Sequence, residues 1–167
     1  MRRPVIGVMG GAQADAGTCR LAYRLGELIA EAGCVLLNGG RPCGVMEHSA
    51  RGAKSRGGLT VGILPGGSAG EASTSVDVAV ATGMGDARNA INVLSSDAVI
   101  ACPGGAGTLS EIALALKNGK RVVALGFWPG EAFSPWSRAG LLTRAETPED
   151  ALRQALSHLE SRRLAAD

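Results

Sequence analysis

Aromatic side chains are scarce in this chain, with two tryptophans, two phenylalanines and one tyrosine among 167 residues. No charge of one sign dominates, since 17 lysines and arginines stand against 15 acidic residues. A nucleic-acid groove needs basic residues gathered on one face and rings for the bases to stack on. Scattered basic residues with so few rings therefore exclude a nucleic-acid partner. Metal-ligand spacing is also missing. Cys19, Cys34, Cys43 and Cys102 form no C-x-x-C pair, and His48 and His158 lie far apart. As reduced thiols serving as small apolar residues, the four cysteines point to the cytoplasm. No apolar run reaches the ~20 residues that a bilayer crossing takes. The run after Arg2 and Arg3 is broken by Gly10, Gly11, Gln13 and Asp15 and is too short for a secretion signal. No membrane association is expected.

Several enzymatic fingerprints are absent as well. Neither G-x-G-x-x-G nor G-x-x-x-x-G-K-[ST] fits any loop, which disfavours nicotinamide dehydrogenases and nucleotide triphosphatases. There is no G-x-S-x-G elbow of an α/β-hydrolase. A pyridoxal enzyme needs a Schiff-base lysine, and the three available are badly placed. Lys54 and Lys117 fall on predicted helices, and Lys120 at a strand end away from the glycine loops.

What the chain does have is glycine, 25 residues of it, much of it in loops between apolar strands and amphipathic helices. Strands are expected over Val5 to Met9, Cys34 to Leu37, Thr60 to Leu64, Val76 to Ala81, Asp97 to Ala101 and Arg121 to Gly126, with a short final one at Leu141 and Leu142. Helical spacing of Leu21, Leu25, Leu28 and Ile29 marks the first helix, with Gly33 as its stop. A second runs from Val45 to Arg56 with Arg51, Lys54 and Arg56 towards solvent. A third runs from Ala87 to Leu94 under an Asp86 cap. The next buries Leu109, Ile112, Ala113 and Leu116 and stops at Gly119. Thr147-Pro148-Glu149-Asp150 opens the last helix, as cap, first-turn proline and first-turn acids. Phe127 to Ala139 reads as irregular. Strands alternating with helices through short loops imply an α/β fold, a single Rossmann-like domain over residues 1–167. Its doubly wound parallel sheet has about six or seven strands, with helices on both faces.

In such sheets ligands bind beyond the carboxyl ends of the strands, where strand order reverses. The glycine loops lie at those ends. Cys102 to Glu111 is the most informative. Gly104, Gly105 and Gly107 expose backbone N–H groups where a helix begins, which suits a phosphate, and Thr108 adds a hydroxyl. Glu111, one turn on, either stabilises its own helix start or acts on a bound hydroxyl or water. Arg88, in the first turn of its helix, offers a guanidinium fork for phosphate.

Pro103-Gly104-Gly105-Ala106-Gly107-Thr108-Leu109-Ser110-Glu111 resembles the P-G-G-x-G-T-x-x-E signature of the LOG ("lonely guy") proteins, once labelled lysine decarboxylases, and of the related molybdenum cofactor carriers. Val5 to Gly11, Asn38-Gly39-Gly40 with Gly44-Val45-Met46, Val61 to Pro65 and Thr147 to Ala151 extend the resemblance from end to end. It implies a homo-oligomer, dimer or tetramer, and a small phosphate-bearing ligand held by Gly10, Gly11, Gly39, Gly40, Arg88, Gly104, Gly105, Ala106, Gly107 and Thr108. The ligand it implies is a nucleotide, phosphate or the molybdenum cofactor, with no cofactor required for a reaction and no metal. In the LOG phosphoribohydrolases the positions of Arg88 and Glu111 serve hydrolysis of the bond between base and ribose 5′-monophosphate. This chain departs from those enzymes. Asn89 follows Arg88 where they have lysine, Ser110 stands where they usually have a second glutamate, and Ala106 replaces a frequent aromatic. An R-N pair with a single glutamate is similar to the carrier branch. The expected function is binding, with phosphoribohydrolase activity through Arg88 and Glu111 as the alternative.

Overall fold

The computed structural model describes residues 2–164, with side chains through residue 160. Seven parallel strands form one sheet. In chain order the elements are β1 (Val5–Met9), α1 (Ala16–Glu31), β2 (Val35–Asn38), α2 (Gly44–Ser55), β3 (Leu59–Leu64), β4 (Val78–Ala81), α3 (Arg88–Ser95), β5 (Ala98–Ala101), α4 (Ala106–Lys117), β6 (Val122–Leu125), α5 (Ser134–Arg138), β7 (Leu142–Ala145) and α6 (Pro148–Leu164). Strand order is β4-β3-β2-β1-β5-β6-β7. The chain winds outward from β1 to β4, then returns to lay β5 on the other side of β1. The reversal therefore lies between β1 and β5, the site the fold reserves for ligands.

Strand residues alternate between two apolar layers, as a period of two requires. Ile6, Val8, Ala98, Ile100, Val123 and Leu125 face α1, α2 and α6, where they meet Leu25, Ile29, Val45 and Leu152. Met9, Val99, Ala101, Val122 and Ala124 face α3 and α4, where they meet Val93, Ile112 and Leu116. Phe127, Trp128 and Phe133 of the irregular segment pack onto this second layer, which places three of the five aromatics in the core's flank and not in the glycine loops. Helices α1 and α2 cross with their backbones in contact. A Cβ on Gly26 would overlap the Ser49 carbonyl, and one on Gly52 the Tyr23 carbonyl.

Several sequence expectations need correction. Asp86 does not cap α3. The N-cap is Ala87 with no side-chain bond, because a 3-10 turn at Gly85–Ala87 leads directly into the helix. β7 is Leu142–Ala145, not Leu141 and Leu142, since pairing with β6 recruits polar Thr143 and Arg144 at the sheet edge. On α4, Leu109 and Ala113 are exposed, and the buried face is Thr108, Glu111, Ile112, Ala115 and Leu116. The buried polar residues shift the inward face away from the one that apolar spacing marks. β4 begins at Val78, since Asp77 is bound by Thr60. Segment 127–139, expected irregular, contains α5 and a 3-10 turn. Thr147 does cap α6, accepting the Asp150 N–H at 3.2 Å.

Candidate functional site

Three loops meet at the reversal. The Gly11 N–H donates to the Pro103 carbonyl at 3.0 Å, and the Val45 N–H to the Gly11 carbonyl at 3.0 Å, so the loops after β1, β2 and β5 are tied together. Gly44 gives the Val45 N–H room to make the second tie. Its φ of +52° is left-handed, and a Cβ there would overlap the Gly11 carbonyl. Asn38, fully buried at the end of β2, sets the next turn. Its Nδ2 donates to the Met46 carbonyl (2.9 Å) and Ser49 Oγ (3.1 Å), and its Oδ1 accepts the Gly40 N–H (2.8 Å).

These loops enclose a pocket of ≈ 230 Å³. Of the residues expected from sequence, Gly10, Gly11, Gly39, Arg88, Gly105, Gly107, Thr108 and Glu111 line it. Gly40, Gly104 and Ala106 do not. Gly40 backs onto Gly62 and Leu64, Gly104 packs against Thr108 and Gly11, and Ala106 is exposed at the start of α4. Gly104 instead lines an adjoining hollow with Gly11, Asp15, Thr18 and Pro103. Arg41, Asp86 and Asn89 also line the pocket, although the sequence placed none of them among the ligand-holding residues.

The two helix starts that flank the reversal are built differently. At α1, Asp15 caps the helix, its Oδ1 accepting the Thr18 N–H at 2.7 Å. That backbone hydrogen bond holds the Asp15 carboxyl below its ordinary range. At α4 the cap residue is Gly105, with no side-chain bond, and the first backbone acceptance runs from the Leu109 N–H to the Gly105 carbonyl (3.1 Å). The N–H groups of Ala106, Gly107 and Thr108 precede the first helical bond, so the helix itself leaves them unpaired. A Cβ on Gly105 or Gly107 would meet no protein atom within 4 Å, so a side chain there would project into space the protein leaves open.

Arg88 is half-buried opposite this start. Its Nη1 donates to the Ile63 carbonyl at 2.6 Å, while its buried Nε has no partner. Gly39 clears the way for it, since a Cβ there would overlap Nη1. Burial pushes the guanidinium below its ordinary value, with Glu111 opposing the shift and Arg41 adding to it. Glu111 is 7 % exposed, and its Oε1 accepts from Asn92 Nδ2 at 2.8 Å. Burial raises its pKa against the opposing effects of Asn92 and Arg88. Asn92 is a residue that sequence reading missed, although its spacing of four from Arg88 puts both on one face of α3. Asn89 Nδ2 donates to Ser110 Oγ at 3.0 Å, and Ser110 Oγ to the Gly107 carbonyl at 2.7 Å. Two of the three positions where the chain departs from the hydrolase pattern are thus bonded to each other.

Chemically, the pocket offers backbone N–H groups and a guanidinium with an unsatisfied donor, a set that suits an anion. Its one buried carboxylate is held by an amide. Among the described residues no three His, Cys, Asp or Glu side chains gather closely enough to hold a metal ion. The four cysteines are free, and burial pushes the Cys102 thiol up to about 12. No described helix is long and apolar enough to cross a membrane.

Residues 3–155 match the SLOG cluster4 family. The fold resembles that of the molybdenum cofactor binding protein of the phototrophic bacterium Rippkaea orientalis, at 51% identity and a TM-score of 0.90, over 95% of this chain and 99% of that one. The molybdenum cofactor carrier protein of Chlamydomonas reinhardtii is 44% identical with a TM-score of 0.84, over 93% and 99%. A protein of Archaeoglobus fulgidus described as uncharacterized is 50% identical over 157 residues, 94% of this chain and 97% of its own length.

Proposed function

The chain belongs to the SLOG cluster4 family, on the side of the LOG and SLOG superfamily where molybdenum cofactor carriers lie, and from that premise we propose that it binds and carries a phosphate-bearing ligand of the pterin cofactor class. The observation that carries this reading is the open start of α4 facing the unpartnered Nε of Arg88. Backbone N–H groups beyond Gly105 and the guanidinium take the phosphate, and Gly105 and Gly107 leave room for it. Gly10, Gly11 and Gly39 form the remaining walls, and Thr108 contributes its hydroxyl. The adjoining hollow of ≈ 490 Å³ along Gly11 to Asp15 receives the non-phosphate half.

The bond between Asn89 and Ser110 supports carrying over hydrolysis. Where the phosphoribohydrolases are expected to place lysine and glutamate, this chain places two neutral side chains that satisfy each other. The hydrolase reading rests on Glu111, buried in the same pocket with Arg88. Titration of the purified protein with molybdenum cofactor and with nucleoside 5′-monophosphates separates the two. A carrier saturates with cofactor and releases no free base from any monophosphate. Release of base and ribose 5-phosphate, lost in Glu111→Ala, would replace the carrier reading with the enzymatic one.

Residues 1–167 act as one cytoplasmic domain in this proposal, and copies associate as dimers or tetramers through α3 and α4. On those helices Ala87, Ala106 and Ala113 are exposed beside Leu94 and Leu109, whereas Ala115 is buried and Ala90 partly so. Sedimentation as a 16.9 kDa species alone would remove the association.

A further inference from the structure

A second hollow, of ≈ 520 Å³, opens on the outer side of α1 and α2 and shares no residue with the pocket above. Tyr23 follows Cys19 by four residues and Arg20 by three on α1, and Arg51 follows His48 by three on α2, so each set lines the hollow from one side of its helix. No acidic residue lines it. Arg2, Arg24, Arg56, Arg144, Arg153 and Lys54 all form ion pairs. Arg20 and Arg51 form none among the described residues and donate no hydrogen bond there. Asp15 lies within range of the Arg20 charge, but its carboxylate is taken by Thr18. His48 Nδ1 sits 2.9 Å from the Gly44 carbonyl. A carbonyl only accepts, so Nδ1 carries the proton and Nε2 is left as an acceptor with no partner among the described residues.

We propose that this hollow is a second anion site, one that takes the phosphate group of a small molecule. Two guanidinium forks exceed what one carboxylate uses, and they match a phosphate, whose oxygens accept from both forks at once, while His48 Nε2 is placed to accept from a protonated phosphate oxygen. The Tyr23 ring and Ala14 and Ala16 supply an apolar wall for an organic group esterified to it. The volume falls in the range of small-molecule pockets, roughly 300–1,000 Å³. Ala14 is shared with the hollow along Gly11 to Asp15, so the new site lies at the far end of a continuous surface from the α4 start.

Amide NMR of the full chain, titrated with inorganic phosphate and with phenyl phosphate, tests this. The amides of residues 19–23 and 48–51 are expected to shift saturably. In the double variant Arg20→Gln, Arg51→Gln the affinity read from them falls at least tenfold, while the shifts of residues 105–111 follow the wild-type curve. Arg51→Gln alone lowers that affinity at least threefold, and both variants keep the wild-type melting temperature because the two side chains are exposed and unpaired. Tighter binding of phenyl phosphate than of inorganic phosphate assigns an organic phosphate, and equal binding assigns the free ion. Shifts at 19–23 and 48–51 that survive the double variant, or that neither probe produces at millimolar concentration, overturn the site. Silence at 105–111 with a response at 19–23 would instead count against the carrier pocket and leave this proposal standing.

Discussion

Helices α1 and α4 follow adjacent parallel strands, β1 and β5, and begin on the same edge of the sheet. Their first turns are nevertheless opposite in character. Asp15 fills the first with a carboxylate that accepts an orphan N–H. Gly105 leaves the second open and without a side chain. A helix start already holding a carboxylate has spent its donor and repels a second anion, whereas an open one attracts it. In the reading proposed above, the difference directs a phosphate to β5 and α4, although the first β-α turn is the usual dinucleotide position. It also accounts for the failed G-x-G-x-x-G pattern after β1, where the chain reads Gly10-Gly11-Ala12-Gln13-Ala14-Asp15.

The comparison breaks most visibly if Arg88 is removed. Arg88→Ala tests whether the open start suffices alone, and the expected loss of cofactor affinity is about a hundredfold, from the ~2–5 kcal/mol lost when one partner of a buried charge contact is truncated. Isothermal titration reads it, and unchanged affinity would mean that the helix start works without the guanidinium. Gly107→Ala adds a methyl group where the fold has room and a ligand does not. Affinity should fall about tenfold while the melting temperature rises by about 2 °C, since alanine is the better helix former. A parallel loss of fold and binding would show that Gly107 is there for the backbone. Asp15→Ala removes the cap at α1, and thermal unfolding should show a lower melting temperature with cofactor affinity near wild type. The lowered Asp15 pKa means that its contribution is present above the ordinary carboxylate range and fades as pH falls through the folded value. The smallest effect belongs to Glu111→Gln. The folded chain binds this proton at higher pH than the unfolded chain, so wild-type stability declines as pH rises from the ordinary carboxylate range through the raised folded value. Glutamine still accepts from Asn92 and carries no charge, so melting curves should lose that decline while cofactor affinity changes little.

The fold was legible because buried parallel strands read as short apolar runs and glycine marks their ends. The open helix start was legible for the same reason, since Gly105 and Gly107 stand where α4 begins in the sequence itself. The support behind it was not. Asn92 holds Glu111 across two helices, Arg88 leans on the Ile63 carbonyl of a distant strand, and Asn38 fixes a turn through the interior of α2. Each is a tertiary hydrogen bond with no local spacing to announce it. Leu109 and Ala113 misled because apolar spacing marks an amphipathic face without saying whether a buried carboxylate has displaced it.

Backbone contact between α1 and α2 at Gly26 and Gly52 has a mechanical consequence. At these two crossings no side chain separates the helices, so a shift of one along the other would bring backbone onto backbone, and the loops after β1 and β2 are carried by a closely fitted pair. The opposite wall, Arg88 and the start of α4, is held in another way, by the hydrogen bond from Arg88 to Ile63 and by the packing of Val93 and Ile112 in one apolar layer with Met9 and Leu37. The pocket thus sets a closely fitted backbone wall against a wall that carries the charge.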